Sequence, residues 1–307
     1  MAFKGVWEGK ESVYSWRWRM DMHQLAFELK APVVRTTSVI FASPHSGRSY
    51  PDAFTRDSLL DQLTLRSSED AFVDQLFDVA PTFGAPLLVA NAPRAYVDLN
   101  RGREELDPAL IEGVRKNGHN PRVSSGLGVV PRVVANGRAI YRGKLTRSEA
   151  DNRLRDVWVP YHNQLQQLLT ECHAQFGEAI LIDCHSMPHE AIESVSLAGR
   201  KHPDIVLGNR FGAAAGSEVV ERIESAFAGA GLEVVRNAPF AGAYTTQHYG
   251  RPSREQHVIQ VEIDRSLYMD EGTIQPHSGF DDFRALMADV VGEIAGIGLA
   301  EMPLAAE

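Results

Sequence analysis

Short apolar, β-prone runs alternate with helical patterns along most of this 307-residue chain. The first run, SVIFASPHSG from Ser38, is stopped by Pro44 and Gly47. The later predicted strands are APLLVANAP, AYVDLN, EAILIDCHSMP, LEVVRN and HVIQVEIDR, and the predicted helices span residues 68–80, 146–176, 216–230 and 280–297. Strands that alternate with helices predict an α/β domain with a largely parallel or mixed central sheet.

Two segments depart from this alternation. Residues 1–35 mix aromatic and charged types without a clear period and predict an irregular N-terminal extension. Residues 103–143 are rich in Gly, Pro, Asn and Arg and predict a long loop-rich excursion, a candidate lid, because such segments in compact domains are usually functional or mobile. No linker divides the chain, so we expect a single domain over residues 1–307.

The amino-acid composition indicates which binding partners and which cellular compartment to expect. The net charge of −9 without a long basic run makes nucleic acid and anionic membranes poor partners. Two cysteines, Cys172 and Cys184, are too few for a disulfide framework and fit a reducing compartment. Residues 1–25 lack the apolar core of a signal peptide, and no uncharged run is long enough for a membrane helix. We therefore expect an acidic cytoplasmic protein.

Two predicted strands end in the same dipeptide, His45–Ser46 and His185–Ser186. In open α/β sheets, ligands bind in the crevice outside the carboxyl ends of the strands, so both imidazoles are expected there. A single histidine at such a position can equally be a loop residue that binds a backbone carbonyl. Because two occur, we predict a catalytic zinc site, which takes three ligands from His and Asp or Glu.

Carboxylates complete the predicted site. Glu69 and Asp70 lie at the start of the helix predicted after the first histidine, and spacing leaves the choice of ligand between them open. Both also fit a helix N-terminus, whose dipole favours acidic residues. Glu262 interrupts an apolar strand, and burial of a carboxylate is costly unless it is paired or functional. We predict that it is the general base, the alternative being an ion pair with Arg265 or Arg254.

Arginines and serines near these positions raise two further hypotheses. Arg94, Arg101 and Arg251 flank the predicted strands, and their guanidinium groups suit an anionic substrate. A serine hydrolase with Ser46 or Ser186 as nucleophile is disfavoured, since neither lies in the Gly-x-Ser-x-Gly turn that exposes such a serine.

Between residues 38 and 275 the chain resembles the N-formylglutamate amidohydrolases (deformylases), which are related to zinc carboxypeptidases and aspartoacylases. The motifs that carry the resemblance are PHSGRSYP (44–51), SEDAFVDQLF (68–77), PRAYVDLNRGREELDP (93–108), LTRSEADNRL (145–154), DCHSMP (183–188) and YGRPSREQHVIQVEIDRSLYMDE (249–271). The resemblance implies a three-layer α/β/α fold with a mixed sheet, similar to that of zinc carboxypeptidases. It also implies a single zinc ion and hydrolysis of a linear amide.

Matched residue by residue, the resemblance makes His45, Asp70 and His185 the zinc ligands, with Glu69 as the alternative carboxylate, and Glu262 the general base. Carboxypeptidase relatives carry a ligand Glu where this chain has Arg48, and relatives in histidine degradation carry a His within the segment where this chain has Phe72. The implied substrate is a small N-formyl or N-acyl acidic amino acid such as N-formyl-L-glutamate. The alternatives are another N-acyl amino acid, the C-terminal residue of a small peptide, or a non-catalytic binding module that retains the fold.

Overall fold

A seven-stranded mixed sheet forms the centre of the molecule in a computed structural model that describes residues 26–115, 120–134, 137–193 and 202–299. In chain order its strands are β1 (Phe27–Lys30), β2 (Val39–Ser43), β3 (Leu87–Ala90), β4 (Ala179–Met187), β5 (Ile205–Gly208), β6 (Val234–Arg236) and β7 (Gln256–Asp264). The spatial order is β1-β3-β2-β4-β7-β5-β6. The four strands β3, β2, β4 and β7 run parallel, whereas β1 and β5 are antiparallel to their inner neighbours. A two-stranded sheet of β8 (Met269–Asp270) and β9 (Gln275–Pro276) follows.

Ten α-helices lie in the described part of the chain. They are α1 (Asp52–Asp57), α2 (Gln62–Arg66), α3 (Val73–Leu76), α4 (Pro121–Ser124), α5 (Arg147–Arg153), α6 (Val159–Phe176), α7 (Glu190–Glu193), α8 (Ser217–Gly229), α9 (Tyr244–Tyr249) and α10 (Phe280–Ile297). A π-helical turn, Leu154–Trp158, joins α5 to α6, and 3₁₀ turns span Ala80–Phe83, Pro252–Arg254 and Arg265–Leu267. None of these helices is long and apolar enough to cross a membrane.

The two faces of the sheet pack against separate layers of helices. Alternate residues of β2 point to opposite faces: Val39 and Phe41 join a core with α3, α8 and α10, while Ile40 and Ala42 join a core with α5 and α6. The predicted α/β/α architecture with a mixed central sheet is therefore confirmed. Cys172 and Cys184 are both free and buried, as expected without a disulfide framework.

Local signals explain several boundaries. Thr146 caps α5 by accepting a hydrogen bond from the Glu149 amide, and the Glu149 carboxylate pairs with Arg153. The helix α6 ends at Phe176, and Gly177 directly after it adopts the left-handed conformation common at such ends.

Other predictions about local structure are wrong. The segment AYVDLN forms turns and not a strand, and the predicted helix over residues 68–80 is reduced to the single turn α3. Residues 1–25 of the predicted extension lie outside the described residues, but its later part forms the edge strand β1. The excursion over residues 103–143 contains one short helix, α4, in its described parts.

Candidate metal centre and active site

The two predicted histidines meet at the carboxyl end of the sheet. His45 follows β2 and His185 lies near the end of the neighbouring parallel strand β4, so the topology brings their rings to a centroid distance of 4.7 Å. Both side chains are buried. The apolar strands β2 and β4 thus place two imidazoles side by side beneath the surface.

Asp70 lies between the two histidines. Its Oδ2 is 2.8 Å from His185 Nδ1 and 3.4 Å from His45 Nδ1, and its backbone amide donates to the His45 carbonyl. One ligand atom from each of the three residues lies within 4.8 Å of the others. We call His45, Asp70 and His185 the carboxyl-end triad.

A carboxylate lies behind each imidazole. His45 Nε2 is 2.8 Å from Asp98 Oδ1, and His185 Nε2 is 3.2 Å from Asp183 Oδ2. At His45 this carboxylate favours the tautomer with its proton on Nε2, which leaves the Nδ1 lone pair directed at Asp70. His185 Nε2 faces the Asp183 carboxylate and also the Asn100 amide group. Carboxylates behind metal-binding histidines act in this way to fix the ring and raise its basicity.

The charges of the carboxyl-end triad favour a cation. Burial by itself raises the pKa of Asp70, but its hydrogen bond with His185 and the charges of His185 and His45 hold that pKa well below its usual value. Burial lowers the pKa of His185, but Asp183 and Asp70 outweigh it and raise the pKa well above its usual value. Negative charge thus converges on the space between the rings.

The residues present fit a metal ion. His45 Nδ1 is buried and has no hydrogen-bond partner among the described residues, which is costly for a polar atom unless a ligand satisfies it. Two imidazole nitrogens and one carboxylate oxygen form a donor set that suits zinc.

Glu69, the alternative ligand, points away from the histidines. Its carboxylate accepts hydrogen bonds from Tyr50 Oη at 2.7 Å and from Arg66 Nε at 3.1 Å. Of the two neighbouring acidic residues, the structure brings only Asp70 together with His45 and His185.

Glu262 lies on β7 directly beside His185 of β4. The neighbouring Val261 and Ile263 belong to the hydrophobic core, whereas Glu262 lines the cavity that contains the carboxyl-end triad. Its carboxylate accepts a hydrogen bond from Gln260 Nε2 at 2.7 Å. Burial raises the pKa of Glu262 to about 7, against the opposing charge of His185, which suits a group that must take up and release a proton.

The alternative of an ion pair between Glu262 and Arg265 does not form. Arg265 donates from Nη2 to Asp70 Oδ1 at 3.0 Å and to the Glu69 carbonyl at 2.8 Å, and from Nε to Ser186 Oγ. Arg265 therefore holds the outer oxygen of Asp70 and leaves Oδ2 towards the histidines.

The predicted arginines separate into two places. Arg94 and Arg101 line the cavity of about 350 Å³ that contains His45, Asp70, His185 and Glu262. Arg94 Nε pairs with Asp98 Oδ2 at 3.0 Å, while Arg101 donates to two backbone carbonyls. Arg251 is not brought together with them: it lines a neighbouring cleft of about 1430 Å³ and donates to the carbonyls of Gln247 and Gly250.

Four site residues were not predicted from the sequence: Asp98, Asn100, Asp183 and Arg265. Asn100 Nδ2 lies 3.0 Å from His185 Nε2, and its Oδ1 accepts from the Thr245 amide and hydroxyl. All four lie within the motifs quoted above for the family resemblance. Asp98, Asn100 and Arg265 contact site residues that are distant in the chain, so no periodicity or spacing indicates them. Asp183 lies two residues before its partner His185 on the same strand, where an alternating strand pattern could have indicated it.

Comparison with known proteins identifies the family. The family model for N-formylglutamate amidohydrolase matches residues 37–269. The chain belongs to this family. It is 31% identical to the N-formylglutamate deformylase of Pseudomonas putida over 240 residues, which cover 76% of this chain and 82% of that protein. The N-formylglutamate deformylase of Pseudomonas aeruginosa is 31% identical over 242 residues, with the same coverage.

The fold of a solved family structure agrees with that of this chain. The crystal structure of N-formylglutamate amidohydrolase from Ralstonia eutropha JMP134 superposes with a TM-score of 0.83 at 32% identity, covering 89% of this chain and 98% of that one. A protein from Agrobacterium tumefaciens, at 15% identity and a TM-score of 0.62, shares the fold. The resemblance stated from the sequence motifs is thus confirmed, and family membership makes the chain a hydrolase that acts on an amide.

Proposed function

We propose that this chain hydrolyses N-formyl-L-glutamate to formate and L-glutamate with zinc bound by His45, Asp70 and His185. The observation that carries the proposal is the geometry of the carboxyl-end triad, in which both Nδ1 atoms face Asp70 Oδ2 and both Nε2 atoms have carboxylates behind them. The substrate follows from the relatives, which are N-formylglutamate deformylases.

The chain's own residues supply the remaining chemistry. When bound, zinc polarises a carbonyl group and lowers the pKa of a water molecule. Glu262 takes the proton of the attacking water and delivers it to the amide nitrogen as the C–N bond breaks, so that glutamate leaves as an amine. A base with a pKa near neutrality performs both transfers without a large penalty in either direction.

Arg94 and Arg101 bind the anionic end of the substrate in this proposal. Both line the cavity that contains Glu262. Arg101 is only 6% exposed, yet no described carboxylate lies within salt-bridge distance of it, which is an unfavourable state for a buried cation. A substrate carboxylate in the cavity would provide the missing counter-charge.

Phe72, which lies in a segment where some relatives carry a histidine, is not part of this cavity. The Phe72 ring contacts Phe280 at a centroid distance of 5.9 Å and packs against the hydrophobic core. It is not among the residues that line the cavity. The difference from relatives at this position therefore bears on packing in the core and not on the residues that line the cavity.

Formate release from N-formyl-L-glutamate by the zinc-loaded protein tests the proposal. Replacing Glu262 with Gln keeps the size of the side chain but removes the base, so we expect the turnover rate to fall by about 10²–10⁴-fold while zinc stays bound. Retained activity in this variant would overturn the role of Glu262. N-acetyl amino acids and small peptides in the same assay test the alternative substrates, and a protein that neither binds zinc nor hydrolyses any of them would be a binding module.

A further inference from the structure

Arg122 lies where the catalytic cavity meets the larger neighbouring cleft. It is exposed on the short helix α4, within the excursion over residues 103–143, and it lines both the cavity that contains Glu262 and the cleft that contains Arg251. Asn120 fixes the start of α4 by accepting hydrogen bonds from the amides of Arg122 and Val123. The guanidinium group is therefore carried by an anchored segment at the mouth of the cavity.

A single residue connects Arg122 to Arg101. The Leu127 amide donates to the Arg122 carbonyl at 2.8 Å, and the Leu127 carbonyl accepts from Arg101 Nε at 3.0 Å. The two cations are close enough to interact: burial lowers the pKa of Arg101, and the charges of Arg94 and Arg122 lower it further against the opposing effect of Asp98. Besides Arg94 and Arg265, which are paired with Asp98 and Asp70, the cavity thus has one buried cation, Arg101, and one cation at its rim, Arg122.

Neither cation has a carboxylate partner in the described part of the chain. Three other arginines of this region are paired, Arg94 with Asp98, Arg132 with Asp107 and Arg147 with Asp151. No described carboxylate lies within salt-bridge distance of Arg101 or Arg122, although each could bind one in bidentate fashion. An exposed arginine without a carboxylate partner is ordinary by itself. Here, however, the exposed Arg122 and the buried Arg101 line the same cavity and both lack a carboxylate partner, which matches a ligand with two carboxylates.

We propose that Arg122 binds the side-chain carboxylate of the substrate, while Arg101 binds its α-carboxylate, so that Arg122 selects dicarboxylic N-formyl amino acids. This inference rests on the proposed function and adds to it a specificity-determining residue. A neutral side chain of equal size would leave the Arg122 guanidinium without its partner and would lose that selection.

The test compares N-formyl-L-glutamate with N-formyl-L-glutamine, which has nearly the same shape without the second charge. We expect Arg122→Gln to lower kcat/KM for the glutamate derivative by about tenfold or more, mainly through KM, and to leave the glutamine derivative within about twofold. Arg115→Gln is the matched control, because Arg115 is also exposed and unpaired among the described residues but lines only the larger cleft. We expect Arg115→Gln to leave kcat/KM for both substrates unchanged.

Equal losses for both substrates in Arg122→Gln, or no loss for either, would overturn the role of Arg122. Calorimetric binding of L-glutamate and L-glutamine to the zinc-loaded protein provides a second readout that needs no turnover. If the wild-type protein releases no formate, the proposed function fails, but a preference for glutamate that disappears in Arg122→Gln would still support this inference. A wild-type preference that persists in the variant would refute it.

Discussion

The strands β4 and β7 run parallel and adjacent, and a cluster of histidine and carboxylate side chains lies at each end of this pair. At the carboxyl end is the triad of His45, Asp70 and His185. At the amino end, Glu178 precedes β4, and Glu255 and His257 lie at the start of β7; we call these three the amino-end triad. Both clusters offer imidazole nitrogens and carboxylate oxygens, so residue types alone do not separate them.

The hydrogen bond behind the imidazole separates the two clusters. His257 Nδ1 accepts the Gly216 amide proton at 3.1 Å, so the proton of the neutral ring lies on Nε2, which faces Glu255 at 3.4 Å and Glu178 at 3.7 Å. A cation there would have to displace that proton. At the carboxyl end the carboxylates lie behind Nε2 and Nδ1 faces the third ligand. In each triad one ring nitrogen faces the other members and the second faces away from them. The hydrogen-bond partner of that second nitrogen determines whether the first has a free lone pair for a metal.

Removing one histidine from each triad gives the largest expected contrast. We expect His185→Ala to bind no zinc and to lose formate release by on the order of a thousandfold or more. His257→Gln, the matched control, should retain one zinc per chain and activity within about twofold. Metal analysis by mass spectrometry and the formate assay measure both. Zinc retained in His185→Ala, or lost in His257→Gln, would contradict the assignment of the zinc site to the carboxyl-end triad.

The carboxylates behind the rings give a smaller effect. Asp98→Asn keeps the size of the side chain but weakens the hold on His45 Nε2, and we expect zinc affinity to fall by about 10–100-fold. Competition with a chromophoric chelator measures this affinity. Glu255→Gln at the amino end is the control and should leave it unchanged. An unaltered affinity in Asp98→Asn would show that the carboxylate does not tune the ligand.

The sequence predicts the fold best where the hydrophobic pattern is long. The helix expected near residues 280–297 is α10, and the strands expected before His185 and around Glu262 are β4 and β7. The four-residue strand β5 was not predicted, although β3 and β6, which are no longer, were. The expected helix over residues 68–80 is interrupted because Phe72 has φ 66°, a conformation that no regular helix contains, just after the chain places Asp70 between the histidines.

The sequence predicts those residues of the candidate site that lie on or directly after apolar strands. His45, His185 and Glu262 follow from apolar strands, and the structure brings them together with Asp70. The partners that orient them are not predictable in this way, because Asp98 lies 53 residues from His45, and Arg265 lies 195 residues from Asp70. Asp98 was also not predicted because AYVDLN was expected to be a strand. The segment instead forms turns, and these direct the Asp98 carboxylate at the His45 ring. Compartment and lid movement of residues 103–143 stay predictions.

His162 extends the comparison to a ring whose two nitrogens both face neutral partners. Nε2 lies 3.0 Å from the Leu99 carbonyl and Nδ1 lies 2.8 Å from Tyr249 Oη, and burial lowers the pKa to about 3. The unfolded chain, with a histidine pKa of about 6.5, binds this proton first, so the stability that depends on the neutral ring is present above pH ~6.5 and is lost as the pH falls towards ~3. We expect the difference in free energy of unfolding between wild type and His162→Phe to shrink by about 2 kcal/mol from pH 7 to pH 5. Urea denaturation of both proteins with chelator present measures it without the pH dependence of metal binding, and a difference that stays constant with pH would mean that the folded protein accommodates a charged His162.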